Sequence, residues 1–437
     1  MIKTAGSRKS LVVSRRARRK AQGAGFLLGL TLMSGFASAA EISRPDLPPP
    51  AQVERALDEH LLVLNAASNL KMEQANQRKW NSGPYEFNLR AGTAQRNVIE
   101  TGQRLAEWDV ALERPFRLPN KAGMDRDIGA ASVEKAQFML GDAHHEAARL
   151  LLKLWFNWQR EHIQITLWEQ QAKIYTQQAQ MTEKRLKAGD APRLELNQAR
   201  AAAAQAGVSL HQVELRALLA GNELMRAFPA IQLPDKLTPV IPVAVEHNLA
   251  YWNDIIFDDN HELGMIEAQA RVQQLLAARS RADRIPDPTL GIRYASDRGG
   301  AEKLTGIYVS VPLSITPRQA TSDGAEQQAV IAADQEAFVR RRLKEDVYAA
   351  YFQAVKNFET WQLARDAAQS IRSNAELMAR AYQLGEASLS DSLTAQRLAL
   401  ESSLTENMAQ LDANETRYRL MLDAHQLWAP VEEHHHD

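Results

Sequence analysis

The sequence predicts a mainly α protein with a small β part, built from long coiled-coil hairpins and four strands per chain. Two observations carry that expectation. Two helical stretches run too long for any compact domain, and one unusual order of elements occurs twice at nearly constant spacing. In the first copy Pro84 leads into Tyr85, Phe87 and Leu89, and then Trp108, Val110 and Leu112 run up to Arg114, Pro115 and Phe116. In the second, Pro288 leads into Leu290, Ile292 and Tyr294, and Ile307, Val309 and Val311 run up to Pro312 and Leu313. A long helix, a glycine and a second helix follow each time. Gly189 and Gly385 lie 196 residues apart, Pro115 and Pro312 lie 197 apart, and Pro84 and Pro288 lie 204 apart. A duplication is the simplest source of that spacing.

Taken in order, residues 1–39 read as an export signal. Arg8, Lys9, Arg15, Arg16, Arg18, Arg19 and Lys20 precede an uncharged apolar run that ends in Ala37, Ser38 and Ala39. Glycines, serines and the small-residue exit fit cleavage better than a retained anchor. The apolar pattern expected after a twin-arginine pair is missing, which favours the general export route. Removing the eight basic residues of this segment from the 52 Lys and Arg leaves 44 against 53 Asp and Glu, a balance of −9. Such a balance argues against nucleic acid as a partner. No later run is apolar and long enough for a spanning helix, so any membrane crossing must use strands. The chain has no cysteine, which excludes disulfides, thiolate metal sites and a lipidated cysteine.

The first repeat is expected over residues 40–228, a connector over 229–246, the second repeat over 247–428 and a tail over 429–437. A proline-rich leader opens the first repeat, followed by a helix of about 30 residues over 51–80. Trp108 to Glu113 alternates apolar with polar, the period of a strand between two environments. Gly306 to Val311 alternates less cleanly, which suits a strand whose outer face meets lipid. Residues 120–189 contain no proline and would make a rod about 100 Å long at ~1.5 Å per residue. Leu151, Trp155, Trp158, Ile165 and Ala172 form its apolar stripe, with His162 inside it. In the second copy Tyr351, Ala354, Phe358, Trp361, Ala364, Ala368, Ile371, Ala375, Met378 and Tyr382 recur at steps of three and four. The run Ala201 to Ala204 is expected to let helices approach closely.

The two glycine bends match at several offsets. Arg185 to Pro192 leads to Glu195 and Ala199, and Ala381 to Ser388 leads to Asp391 and Ala395. Each glycine is expected to close its helix in a left-handed cap, and each acidic residue to lie near the positive end of the next helix. Prolines 229, 234, 239 and 242 mark the connector.

This order of elements resembles the TolC family of outer-membrane efflux factors over nearly the whole mature chain. Tyr382, Gln383, Leu384 and Gly385 with Ser388, Asp391, Leu393 and Ala395, and the strand-to-helix passages at Pro115 and Pro312, carry the resemblance. It implies helices forming a periplasmic tube, and four strands per protomer contributing to a trimeric outer-membrane β-barrel. It further implies a homotrimer in outer-membrane lipid that works with a periplasmic adaptor and an inner-membrane pump of the RND type. Asp391 matches the place of an acidic ring at the periplasmic gate, with Thr394 where relatives often have a second acid. Tyr382 matches a tyrosine that ties the closed mouth to a basic residue, whose place falls on Ala387. Glu195, the counterpart of Asp391, is expected as a solvent-facing charge, and it and the turns at Gly189 and Gly385 are expected as the adaptor contacts. The physics points the same way, because four strands alone leave two open edges and the smallest bacterial barrels need about eight.

The expected function is an efflux duct. Heavy-metal cations are the first choice of cargo, and drug efflux or type I protein secretion the alternative. A periplasmic coiled-coil scaffold without a barrel is the rival of another class. No catalytic constellation is present, and neither enzyme activity nor a cofactor is expected. Adjacent His144 and His145 point apart on a helix and read as surface residues. His434, His435 and His436 in the tail form a weak metal-ligand candidate.

Overall fold

A computed structural model describes residues 44–83 and 85–428. The expected signal segment, Pro84 and the tail with His434, His435 and His436 lie outside the described residues.

Among the described residues the element order is α1 (Pro50–Asp58), α2 (Leu61–Ser82), β1 (Asn88–Val98), β2 (Gln103–Pro115), α3 (Pro119–Lys187) and α4 (Arg193–Ala227). The series then repeats as α5 (Leu249–Asp258), α6 (His261–Ala282), β3 (Thr289–Asp297), β4 (Glu302–Ser310), α7 (Thr316–Gln383) and α8 (Leu389–Asp423). Matching helices agree in length: 69 residues in α3 against 68 in α7, and 35 in both α4 and α8. At ~1.5 Å per residue the two longest helices are rods of about 100 Å.

Each long helix folds back on its successor, α3 on α4 and α7 on α8. Every expected seam position from Tyr351 to Tyr382 is buried or half-buried, so the steps of three and four do mark the packed face. Trp155, Trp158, Phe156, Phe228 and Tyr418 centre the largest apolar cluster, which joins α1, α3, α4 and α8. A second cluster around Trp252, Ile256, Val347 and Leu420 joins α5, α7 and α8. Within the run Ala201 to Ala204, Ala202 and Ala203 are half-buried while Ala201 and Ala204 are exposed within the chain.

Local chemistry moves three expected boundaries. Instead of one helix over 51–80 there are two, because His60 takes extended backbone, caps α2 through its ring Nδ1 (3.4 Å from the Leu62 amide) and stacks on Phe228 at 4.9 Å. Tyr85 and Phe87 precede β1, and the Tyr85 hydroxyl is held by Asp287 at 2.7 Å. Val311 lies just past the end of β4.

The junction between sheet and helices is ionic. Lys121, 0% exposed, lies 2.9 Å from Asp283 and 3.0 Å from Asp287, and donates to the Ile285 carbonyl at 2.7 Å. Asp125 accepts from Arg117 at 2.9 Å and from Arg279 at 2.5 Å. Residues of both repeats thus meet under the sheet, each buried charge matched by an opposite one.

Candidate functional site

The four strands form one antiparallel sheet in the order β1-β2-β3-β4. Its register sorts the side chains into two chemically distinct faces. Leu89 is opposite Leu112, Leu112 opposite Ile292, and Ile292 opposite Ile307, so one apolar row crosses all four strands. Trp108, Val110, Leu290, Tyr294 and Val309 share that face by the two-residue period. Leu89 is 73% exposed and Ile307 75%, which is costly in water over so many residues. The opposite face is charged: Arg96 pairs with Glu107 at 2.6 Å, Arg293 with Asp109 at 3.5 Å, and Tyr308 donates to Glu113 at 2.6 Å. An apolar face backed by a polar one is the division a barrel wall needs between lipid and a wet lumen. Among the described residues, β1 and β4 each keep one edge with no strand beside it.

At the far end of the rods the two glycine bends have the same geometry. Gly189 and Gly385 take φ of 81° and 79°, a left-handed conformation open to glycine at little cost. In each, the amide two residues past the helix cap reaches back to the helix: Asp190 to the Arg185 carbonyl at 2.8 Å, and Glu386 to the Ala381 carbonyl at 2.9 Å.

Beside these bends the structure brings together Tyr382, Glu195 and a residue that sequence comparison missed. Arg185 donates to the Tyr382 hydroxyl at 2.9 Å and lies 5.5 Å from its ring centroid. The same guanidinium pairs with Asp190 at 3.0 Å and approaches Glu195 at 3.9 Å, while the Tyr382 hydroxyl donates to Glu195 at 3.3 Å. The Tyr382 ring is buried with Ala199 and Leu389. The tyrosine's basic partner is therefore Arg185 of the first bend and not a residue at position 387. Glu195 also departs from expectation, as an acceptor in this network. Asp391 stays apart: it is exposed and held at the start of α8 by Ser388, whose hydroxyl donates to its carboxylate at 2.7 Å and accepts from its amide at 3.1 Å.

The histidines differ from expectation as well. His144 and His145 are both half-buried; His145 packs against His261 and His425, and burial together with the neighbouring His425 and Arg149 holds its imidazole down at a pKa of about 3.

No protein-family model matches the sequence, and no curated protein matches it. Solved structures match its shape. The CmeC outer membrane channel of Campylobacter jejuni aligns over 86% of this chain and 84% of its own, at 15% identity and a TM-score of 0.71. The outer membrane protein VceC of Vibrio cholerae aligns over 87% and 95%, at 16% identity and a TM-score of 0.68. This chain has the outer-membrane channel fold. CusC, described for conformational changes accompanying folding and transmembrane channel formation, aligns over 86% of this chain and 91% of its own, at 16% identity and a TM-score of 0.65. Within the channel fold, the sheet corresponds to part of a barrel wall, and the hairpins with their glycine bends to the helical tube.

Proposed function

We propose that the chain is the outer-membrane component of a tripartite efflux system, a homotrimer that takes cargo from an inner-membrane pump of the RND type through a periplasmic adaptor. The observation that carries this reading is the sheet: an apolar row across four strands, a charged row behind it, and two open edges. In hydrocarbon an open edge leaves backbone groups unpaired at several kcal/mol each, and joining further copies removes it. The rods continue the wall into the periplasm, and the bends at Gly189 and Gly385 meet the adaptor. Exposed Leu194, Leu215, Leu218 and Leu219 on α4, with Leu363 and Leu377 on α7, supply apolar surface for packing against neighbouring copies.

The cargo we assign is heavy-metal cations. Three copies of the exposed Asp391 would set a ring of carboxylates at the mouth, and such a ring favours cations. Purified protein in planar bilayers should conduct with cation preference, and Asp391→Ala should reduce that preference. Absence of channels would overturn the duct; channels indifferent to Asp391 would remove the ring. Deleting the gene and comparing sensitivity to zinc, cobalt, cadmium and copper with sensitivity to a drug panel tests the cargo.

A further inference from the structure

Three histidines from distant parts of the sequence meet in the helical body, away from both the sheet and the bends. His145 lies in the first half of α3, His261 is the first residue of α6, and His425 follows the end of α8. One ring nitrogen from each lies within 4.8 Å of the other two. The ring centroids of His145 and His425 are 4.3 Å apart, and those of His261 and His425 4.9 Å apart.

Three features of the surroundings are hard to explain by packing alone. First, His425 has φ of 56° and occupies the same position after α8 that Gly189 and Gly385 occupy after α3 and α7. Its amide bonds the Leu422 carbonyl at 3.0 Å and the Gln426 amide bonds the Met421 carbonyl at 2.8 Å, repeating the cap of the other two helices. A left-handed residue with a side chain costs about 1–2 kcal/mol that glycine would avoid, so the imidazole is retained against a backbone penalty. Second, a Cβ on Gly141 would come within 2.8 Å of the His261 ring, so the turn of α3 before His145 is bare where that ring enters. Third, the buried Nε2 of His261 has no hydrogen-bond partner among the described residues, which ordinarily costs about 1–3 kcal/mol.

We propose that His145, His261 and His425 bind a divalent transition cation of the zinc class. Three imidazoles with an open fourth position are a common donor set for such ions. His145 Nε2 and His425 Nε2 are 2.6 Å apart, and a tetrahedral ion with bonds of ~2.0–2.1 Å would hold them about 3.3 Å apart, a small opening. Asp259 stands 3.6 Å from His425 Nδ1, on the side of the ring away from His145, where a carboxylate orients a ligating imidazole. The nearby cations are already matched, Arg149 and Arg419 sharing Asp423 at 2.8 Å and 2.9 Å and Arg149 also pairing with Glu146. Bound there, the ion ties α3, α6 and the end of α8 together, and so links the two repeats. This holds whatever the duct carries.

The test uses purified full-length protein in detergent, with His434→Ala, His435→Ala and His436→Ala to silence the tail. Equilibrium dialysis against zinc chloride should leave one zinc per chain and raise the melting temperature by several degrees. His425→Gly should bind at least tenfold more weakly, and without zinc should melt no lower than its parent, because glycine relieves the left-handed strain. His145→Gln supplies a second loss of binding in which that backbone is untouched. No retained zinc in the folded tail-silenced protein, or retention unchanged in both variants, would overturn the site. Neither result bears on whether the protein conducts.

Discussion

Arg185 and Tyr382 stand 197 residues apart in sequence and 2.9 Å apart in space, the guanidinium of the first bend donating to the phenol of the second. One contact therefore fastens the α3–α4 hairpin to the α7–α8 hairpin at the end that the proposed function makes the mouth.

If opening separates those hairpins, Tyr382→Phe removes the hydroxyl from Arg185 and Glu195 while keeping the buried ring. For a partly exposed charge-assisted bond the loss is about 1 kcal/mol, or roughly a fivefold larger open fraction. Single-channel recordings should show that increase. Arg185→Ala should give only part of that increase, because the Tyr382 hydroxyl keeps its bond to Glu195, and adding it to Tyr382→Phe should change little more.

The ion cluster under the sheet makes a stability prediction. Lys121→Ala leaves Asp287 without a cation beside a buried void, while Asp283 keeps Arg279, and removing one partner of a buried pair costs about 3–5 kcal/mol. Denaturation of the detergent-solubilised protein should show a loss of that size, against a far smaller one for breaking the solvent-screened, exposed Arg55 and Glu59 pair.

The sheet's two faces should respond oppositely to charge. Ile307→Arg places a cation in the apolar row and should cost about 2–4 kcal/mol of folding in lipid near the midplane. Leu304→Arg points to the charged face and should be tolerated. Urea unfolding in vesicles reads the difference, and equal effects would contradict the assignment of faces.

Asp142 gives a pH dependence. Burial, with Glu146 and Glu262 nearby, pushes its carboxyl up to about 6. A raised folded pKa keeps the proton where the unfolded chain has lost it, so this stabilisation is full below about pH 4 and disappears as pH rises through about 6. Discounted for partial exposure, Asp142→Asn should stabilise the protein by roughly 1–2 kcal/mol at pH 7.5 and by almost nothing at pH 4. Melting curves at the two values check the sign.

The rods were legible because helix packing writes its period into the sequence, and the positions from Tyr351 to Tyr382 needed only local spacing to be placed. The strands were legible in existence but not in extent, since Tyr85 is drawn out of β1 by a hydroxyl contact to Asp287, across the duplication. Arg185 was visible in the first bend but was not matched to Tyr382, because comparing the bends with each other aligns it with Ala381 and hides a contact between them. The histidine trio was harder still. Three single histidines carry no motif, and their only marks were a glycine four residues before His145 and a histidine where two other helices end in glycine.

The duplication makes the central claim measurable. Val110 of β2 lies opposite Tyr294 of β3. Leu112 and Val309 are 197 residues apart, and their partners Leu89 and Leu290 are 201 apart. Applying those shifts places Ile307 of β4 opposite Thr93 of β1 in a neighbouring copy. Facing antiparallel positions lie about 4.5–5.5 Å apart between Cα atoms, within reach of a disulfide. The natural chain has no cysteine to interfere. Oxidising membranes that carry Thr93→Cys with Ile307→Cys should give covalent trimers on non-reducing gels, while either single variant stays monomeric. A double variant that remains monomeric in the membrane, or that leaves it as a soluble single chain, would contradict a wall completed by three copies.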